Sequence, residues 1–209
     1  IDISGASRQF STLAATSRSI GNSGNITINS RNLKVSDGAD VSVSAFGNGK
    51  SGELNVQVSE SIELIGANVI PRDDRSDDNF SRSGLFAATE GTQDGGSLSV
   101  NTRRLLVKDG ARISASTRGK GETNISGGRG GNLNINASSS VELSGLVRVT
   151  LKRNNQIQTL TFPSGLFALS GEDRPDNLSA KDATGIGGNL EVSTGLLNIR
   201  DGAELSVSA

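Results

Sequence analysis

The sequence predicts an all-β fold, a single-stranded parallel β-helix (solenoid) in which short strands stack coil upon coil. Three observations carry that prediction. One phrase is written three times, as LKVSDGADVSVSA from Leu33, LLVKDGARISAST from Leu105 and LNIRDGAELSVSA from Leu197. A Gly-x-(Leu/Ile)-x-(Val/Ile) opening at Gly24, Gly52, Gly96, Gly131 and Gly188 is followed each time by another glycine 14 positions on, at Gly38, Gly66, Gly110, Gly145 and Gly202. Within each phrase apolar residues alternate with polar ones, Ile26, Ile28, Leu33, Val35, Val41 and Val43 having Thr27, Lys34 and Ser42 between them. Such a period of two marks half-buried strands, and a repeat that buries only one stripe must stack on its neighbours.

Taken in order, IDISG and FSTLAAT read as the tail of one unit. Units then open near Gly24, Gly52, Gly96, Gly131 and Gly188, with starts 28, 44, 35 and 57 residues apart, so a constant core of about 22 residues carries loops of variable length. The units opening at Gly24, Gly96 and Gly188 run through strand, strand, Asp-Gly-Ala turn and third strand; Asp37, Asp109 and Asp201 precede the turn glycines. The units at Gly52 and Gly131 carry SIELIG or SVELSG instead, then an insert, then SGLFA at 83–87 or 164–168. This gives about six coils with loop insertions. Both ends of residues 1–209 fall inside the pattern, which predicts one β-helix segment of a longer array. Ser, Asn, Gly and β-branched residues at almost every step oppose helix.

The three-fold phrase is therefore read as structure before function. Every coil must turn the same corner, and glycine turns it most readily because it tolerates positive φ. Expected inward columns are Ile26, Leu54, Leu98, Leu133 and Leu190 in the first strand, and Val41, Ile113 and Leu205 in the third strand of alternate coils. Leu13, Phe86 and Phe167 are expected to fill that third-strand position in the others.

Three inserts vary. Residues 67–82 contain PRDDRSDDN, read as a solvated loop. Its Asp73, Asp74, Asp77 and Asp78 match neither an EF-hand nor a glycine-rich calcium nonapeptide. Residues 147–162 alternate on both sides of Asn154-Asn155, which predicts a protruding β-hairpin. It is expected to lean on neighbouring coils, and Lys152, Arg153, Asn154 and Asn155 at its tip are the best candidates for touching a partner. Residues 171–187, polar and containing Pro175, read as a loop.

Composition limits the chemistry. The chain has 21 Lys plus Arg against 22 Asp plus Glu, a net charge of -1, so no global field recruits nucleic acid or an anionic membrane. Cys, His, Met, Trp and Tyr are all absent, which removes thiols, imidazole bases and the usual zinc ligands. No cofactor or metal site is expected. The apolar share is 33%, or about 46% once the 27 glycines are added, within the globular range.

A β-helix enzyme acting on polysaccharides is the main alternative, and it needs carboxylates clustered on one sheet face. Outward positions of the first strand are Thr27, Asn55, Ser99, Asn134 and Glu191, with one carboxylate among them. Those of the second are Lys34, Glu63, Leu106, Glu142 and Asn198, and those of the third include Asp40, Arg112 and Glu204. Glu63 and Glu142 lie two coils apart, roughly 9.6 Å at a strand spacing of about 4.8 Å, with Leu106 between them. No column concentrates catalytic groups, so no catalytic residue is assigned. Phosphate-loop readings of Gly119–Gly121 or Gly127–Gly131 fail because no helix follows.

The phrases GGSLSVNTRRLLVKDGARISAST, GGNLNINASSSVELSG, SGLFA and GGNLEVSTGLLNIRDGAELSVSA resemble the cyanobacterial branch of the filamentous haemagglutinin-like exoproteins, exported by two-partner secretion. With Gly24 to Ala45 and Gly52 to Gly66 they cover most of the chain outside the inserts. The resemblance implies a right-handed β-helix, passed unfolded through an outer-membrane transporter and secreted or displayed on the cell surface. The expected role is non-enzymatic: adhesion to protein or carbohydrate surfaces, or the shaft of an extracellular fibre, with end-to-end self-association covering open strand edges. The family's secretion domain does not occur in these 209 residues. A calcium-dependent surface-layer component is the third reading.

Overall fold

The structure, a computed structural model, describes residues 1–6, 9–71, 77–89, 93–117, 128–153, 156–170 and 185–208. Among them there are strands and turns but no helix. Two parallel sheets of six strands dominate. One contains, in spatial order, β1 (Asp2–Ser4), β3 (Ile26–Ser36), β5 (Leu54–Ile65), β9 (Leu98–Lys108), β11 (Asn132–Ser144) and β15 (Asn189–Arg200). The other contains β2 (Thr12–Ser17), β4 (Asp40–Ala45), β8 (Gly84–Thr89), β10 (Arg112–Thr117), β14 (Gly165–Leu169) and β16 (Glu204–Ser208) in the same progression. Each strand of the first sheet is thus followed in the chain by its counterpart in the second. The pairs form six tiers, an all-β architecture consistent with a parallel β-helix.

The sequence separates two strands before each corner, whereas the structure runs them together into single strands such as β5 and β11. The halves meet at positions such as Arg31, Ser59 and Arg103, and at Gly195 in β15, and the strand runs through each of them. The junction survives as register shifts, between Ser30 and Asn32, Gln57 and Ser61, and Ala137 and Ser140. These bulges bend the strands without ending them.

Register follows the apolar alternation. Ile26, Leu54, Leu98, Leu133 and Leu190 are aligned partners, and of these Leu54, Leu98 and Leu133 are fully buried. They join Val35, Leu64, Val107 and Leu143 of the first sheet and Val41, Leu85, Ile113 and Leu166 of the second in one apolar core. Each such side chain contributes about 1.5–3 kcal/mol by leaving water.

One inward column differs from expectation. The aligned set in the second sheet is Leu13, Val41, Leu85, Ile113, Leu166 and Leu205; Phe86 and Phe167 lie one position on, with Ser42, Ser114 and Ser206. A one-residue step puts a side chain on the opposite face. Leu85 and Leu166 fit the aliphatic ladder, while each ring lies on the outer face over the glycine two residues back. A Cβ on Gly84 would stand 3.0 Å from the Phe86 ring and in collision with the Arg112 carbonyl. In SGLFA, then, leucine faces in, glycine makes room, and phenylalanine covers it.

Both faces of the second sheet are covered over β10 and β14, every residue of which is buried. Arg112, expected to face solvent, is only 8% exposed and donates from Nη2 to Ser114 Oγ at 2.8 Å. The outer face of the first sheet is open: Thr27, Asn29, Gln57, Asn101, Asn134 and Asn136 are exposed.

Candidate functional site

The described elements that leave the two-sheet stack are hairpins at one corner. In the tiers of β5 and β11 the turn glycines Gly66 and Gly145 open an insert, and Ser83 and Ser164 close it by donating their N–H to the Gly66 and Gly145 carbonyls, each at 3.0 Å. The insert of 147–162 is a hairpin, β12 (Leu146–Arg153) pairing antiparallel with β13 (Gln156–Pro163). The insert of 67–82 is not simply a solvated loop: β6 (Ala67–Ile70) pairs with β7 (Asn79–Arg82) in a second, shorter hairpin. Val69 opposite Phe80 gives it an apolar face, which the charged run between them conceals in the sequence.

The hairpins pack on each other. Val149, Leu151, Leu160 and Phe162 form a buried cluster completed by Val69, Phe80 and Val147, separate from the main core. The Phe80 and Phe162 rings stack at 4.6 Å with an interplanar angle of 26°. Asp78 adds a polar seam, its backbone N–H donating to the Lys152 carbonyl at 3.0 Å and its Oδ2 accepting from the Lys152 N–H at 2.8 Å.

Arg82 fastens this pair to the corner between them. Its Nε donates to the Gly110 carbonyl at 2.7 Å, its Nη2 donates to the Pro163 carbonyl, and its guanidinium lies 5.4 Å from the Phe162 ring centre. Two hydroxyls lock adjacent tiers: Ser83 Oγ accepts from the Gly38 N–H at 2.9 Å and Ser164 Oγ from the Gly110 N–H at 2.8 Å. Both serines are fully buried, so these bonds satisfy donors that water cannot reach. The sequence reading missed Phe80, Arg82, Ser83, Phe162 and Ser164; the serine that opens both copies of SGLFA was the available signal.

The turn residues have the backbone the corners demand. Gly38, Gly66, Gly110, Gly145 and Gly202 have φ between 76° and 88°, and Asp37, Asp109 and Asp201 between 55° and 57°. Of the tip residues, Lys152 has its backbone tied to Asp78, while Asn154 and Asn155 lie outside the described residues. Asp73 and Asp74 lie outside them as well.

Among the described residues, the carboxylates singled out in the sequence are spread over several columns. Glu63 and Glu142 share a column with Leu106 between them, and Glu142 is engaged by Arg200 Nη2 at 2.5 Å. That contact and Asp201 hold the Arg200 guanidinium above its usual pKa. Asp40 is raised, mainly by burial, against the opposing hydrogen bonds from Thr12 at 2.6 Å and Ser42. It sits in the second sheet, aligned with Thr12 and Gly84, away from the glutamate column. Among the described residues no group of three metal-ligating side chains converges, and no helix is long and apolar enough to cross a membrane. The site offers a two-hairpin platform packed beside the two parallel sheets.

Comparison with known proteins adds no neighbour: no family model, no curated protein and no solved structure matches the chain.

Proposed function

We propose that the chain is a stretch of right-handed, single-stranded parallel β-helix from a secreted or cell-surface protein, acting without catalysis in adhesion or as the shaft of an extracellular structure. The observation that carries this reading is the hairpin pair. Two inserts, from tiers that are not adjacent, are joined to each other by Phe80, Phe162 and Asp78 and fastened to the intervening corner by Arg82, which presents their joint surface on the stack. A reaction centre is not what such an arrangement serves, whereas a presented surface is. Arg148, Thr150 and Thr159 are exposed on the hairpin of 146–163, beside its buried cluster.

Export through an outer-membrane transporter belongs to the same reading, supported by the repeat phrases and by a chain that contains no cysteine. So does end-to-end association. The last tier leaves Leu197, Ile199, Leu205 and Val207 between 37% and 49% exposed, an apolar edge that further tiers or another copy would cover.

The test is binding of the labelled chain to intact cells and to immobilised glycans, beside a variant with Arg148, Thr150 and Thr159 all changed to Ala. Saturable binding weakened in the variant supports adhesion through the hairpin face. No binding by either protein removes the adhesive role.

A further inference from the structure

The outer face of the first sheet carries a feature that the hairpins do not explain. Where the bulges bend β3, β5, β9 and β11, a trough of about 470 Å³ runs across the tiers. Asn29, Gln57 and Asn101, aligned in successive tiers, supply its amides; Ser59 and Ser138 supply hydroxyls. Its one charged lining group, Arg103, is paired with Glu60 at 3.3 Å.

These amides are not committed to the fold. Asn25 Oδ1 accepts from the Glu53 N–H at 2.8 Å and Asn189 Nδ2 donates to Asn132 Oδ1 at 3.0 Å, so these asparagines at the strand starts are hydrogen-bonded within the protein. Among the described residues, by contrast, none bonds to the side chains of Asn29, Gln57, Asn101 or Asn136. Each free amide offers two donors and an acceptor, and successive tiers repeat that set at roughly 4.8 Å. That spacing is close to the rise of one pyranose unit in an extended β-linked glycan, whose hydroxyls need donors and acceptors in alternation. An acidic polymer would find no unpaired cation among the lining residues.

We infer that this trough binds an extended neutral glycan, laid along the stacking direction and held by hydrogen bonds to the Asn29, Gln57 and Asn101 amides. The inference deepens the adhesive reading and rests on it for its biological setting. Recognition by amides and hydroxyls, without an aromatic platform, is suited to many weak contacts repeated along a polymer.

The experiment titrates the whole chain with cellohexaose, a neutral probe, and with polygalacturonate, an acidic one. The same titrations are made with the triple variant Asn29→Ala/Gln57→Ala/Asn101→Ala and with Ser59→Trp, which fills the trough. The altered side chains are surface-exposed, and an unchanged Tm checks that each variant is folded. The expected result is binding of cellohexaose, weakened roughly tenfold or more in the triple variant and lost in Ser59→Trp, with polygalacturonate bound more weakly. Equal cellohexaose affinity in all three proteins, no cellohexaose binding by the parent chain, or tighter binding of polygalacturonate overturns the inference. Cell-surface binding is measured on the same proteins. If cells are bound equally well by parent and trough variants, the trough is not the adhesive site while the adhesive reading stands. If no protein binds cells, that reading falls and the cellohexaose titration still decides the trough.

Discussion

Replacing Gly110 by alanine is expected to loosen the whole hairpin platform. Two costs arise at this one atom. The residue has φ of +88°, so a side chain is strained wherever it points, at about 1–2 kcal/mol. The new Cβ would also meet Val147 of the long hairpin, in collision with its Cγ1 and 2.6 Å from its Cβ, an overpacking cost of about 1–3 kcal/mol. Gly66 is the internal control: its φ is +77°, yet nothing lies within 4 Å of an added Cβ. Gly66→Ala should therefore cost only the strain, and Gly110→Ala roughly 2–5 kcal/mol in total. For a chain of this size each kcal/mol lowers Tm by about 2–4 °C. Thermal unfolding of Gly66→Ala, Gly110→Ala, Val147→Gly and the double variant Gly110→Ala/Val147→Gly separates the costs. The double variant should recover most of the collision term as a coupling energy. Equal losses in Gly66→Ala and Gly110→Ala, or no coupling to Val147, would refute the docking of hairpin on corner.

Further expectations follow from other parts of the molecule. Ser164→Ala strands the buried Gly110 N–H and should cost about 1–3 kcal/mol, read by denaturant unfolding; Ser83→Ala should do the same at Gly38. Leu85→Ala should cost about 2–5 kcal/mol and Phe86→Ser distinctly less, because Leu85 is fully buried in the core and Phe86 only partly covered on the outer face. Asp40 has a folded pKa raised above its unfolded value, so its protonated form favours the fold and stability is lost as the pH rises through the folded pKa. Asp40→Asn should raise Tm at neutral pH, with the gap closing as the pH falls through the carboxylate range. Cysteines placed at Ser99 and Asn134, aligned neighbours in adjacent tiers, should oxidise to a disulfide in a chain that has no other cysteine, and cysteines at Ser99 and Glu191 should not.

The sheets were legible in the sequence because period two and a fixed glycine offset constrain register strongly. The first-strand column from Ile26 to Leu190 falls as the alternation places it. The pattern misleads where size and position conflict. In SGLFA phenylalanine is the larger apolar residue and attracts an inward assignment, but only the register with Val41 and Ile113 decides that Leu85 faces in. The hairpin of 146–163 was readable from alternation around a turn-forming pair, while its partner at 67–82 was hidden, since four-residue strands flanking a charged run carry little periodicity. The clasp itself was not legible at all. Phe80 meets Phe162, and Arg82 meets Gly110 and Pro163, across sequence separations that no local pattern records.

The central claim, a non-catalytic surface for binding carried on a β shaft, is tested most directly by incubating the chain with intact cells and immobilised polysaccharide while measuring both bound protein and released reducing ends. The account expects saturable, reversible binding and unchanged polysaccharide. Release of reducing sugar that disappears in Glu63→Gln or Glu142→Gln would contradict it and make the chain an enzyme.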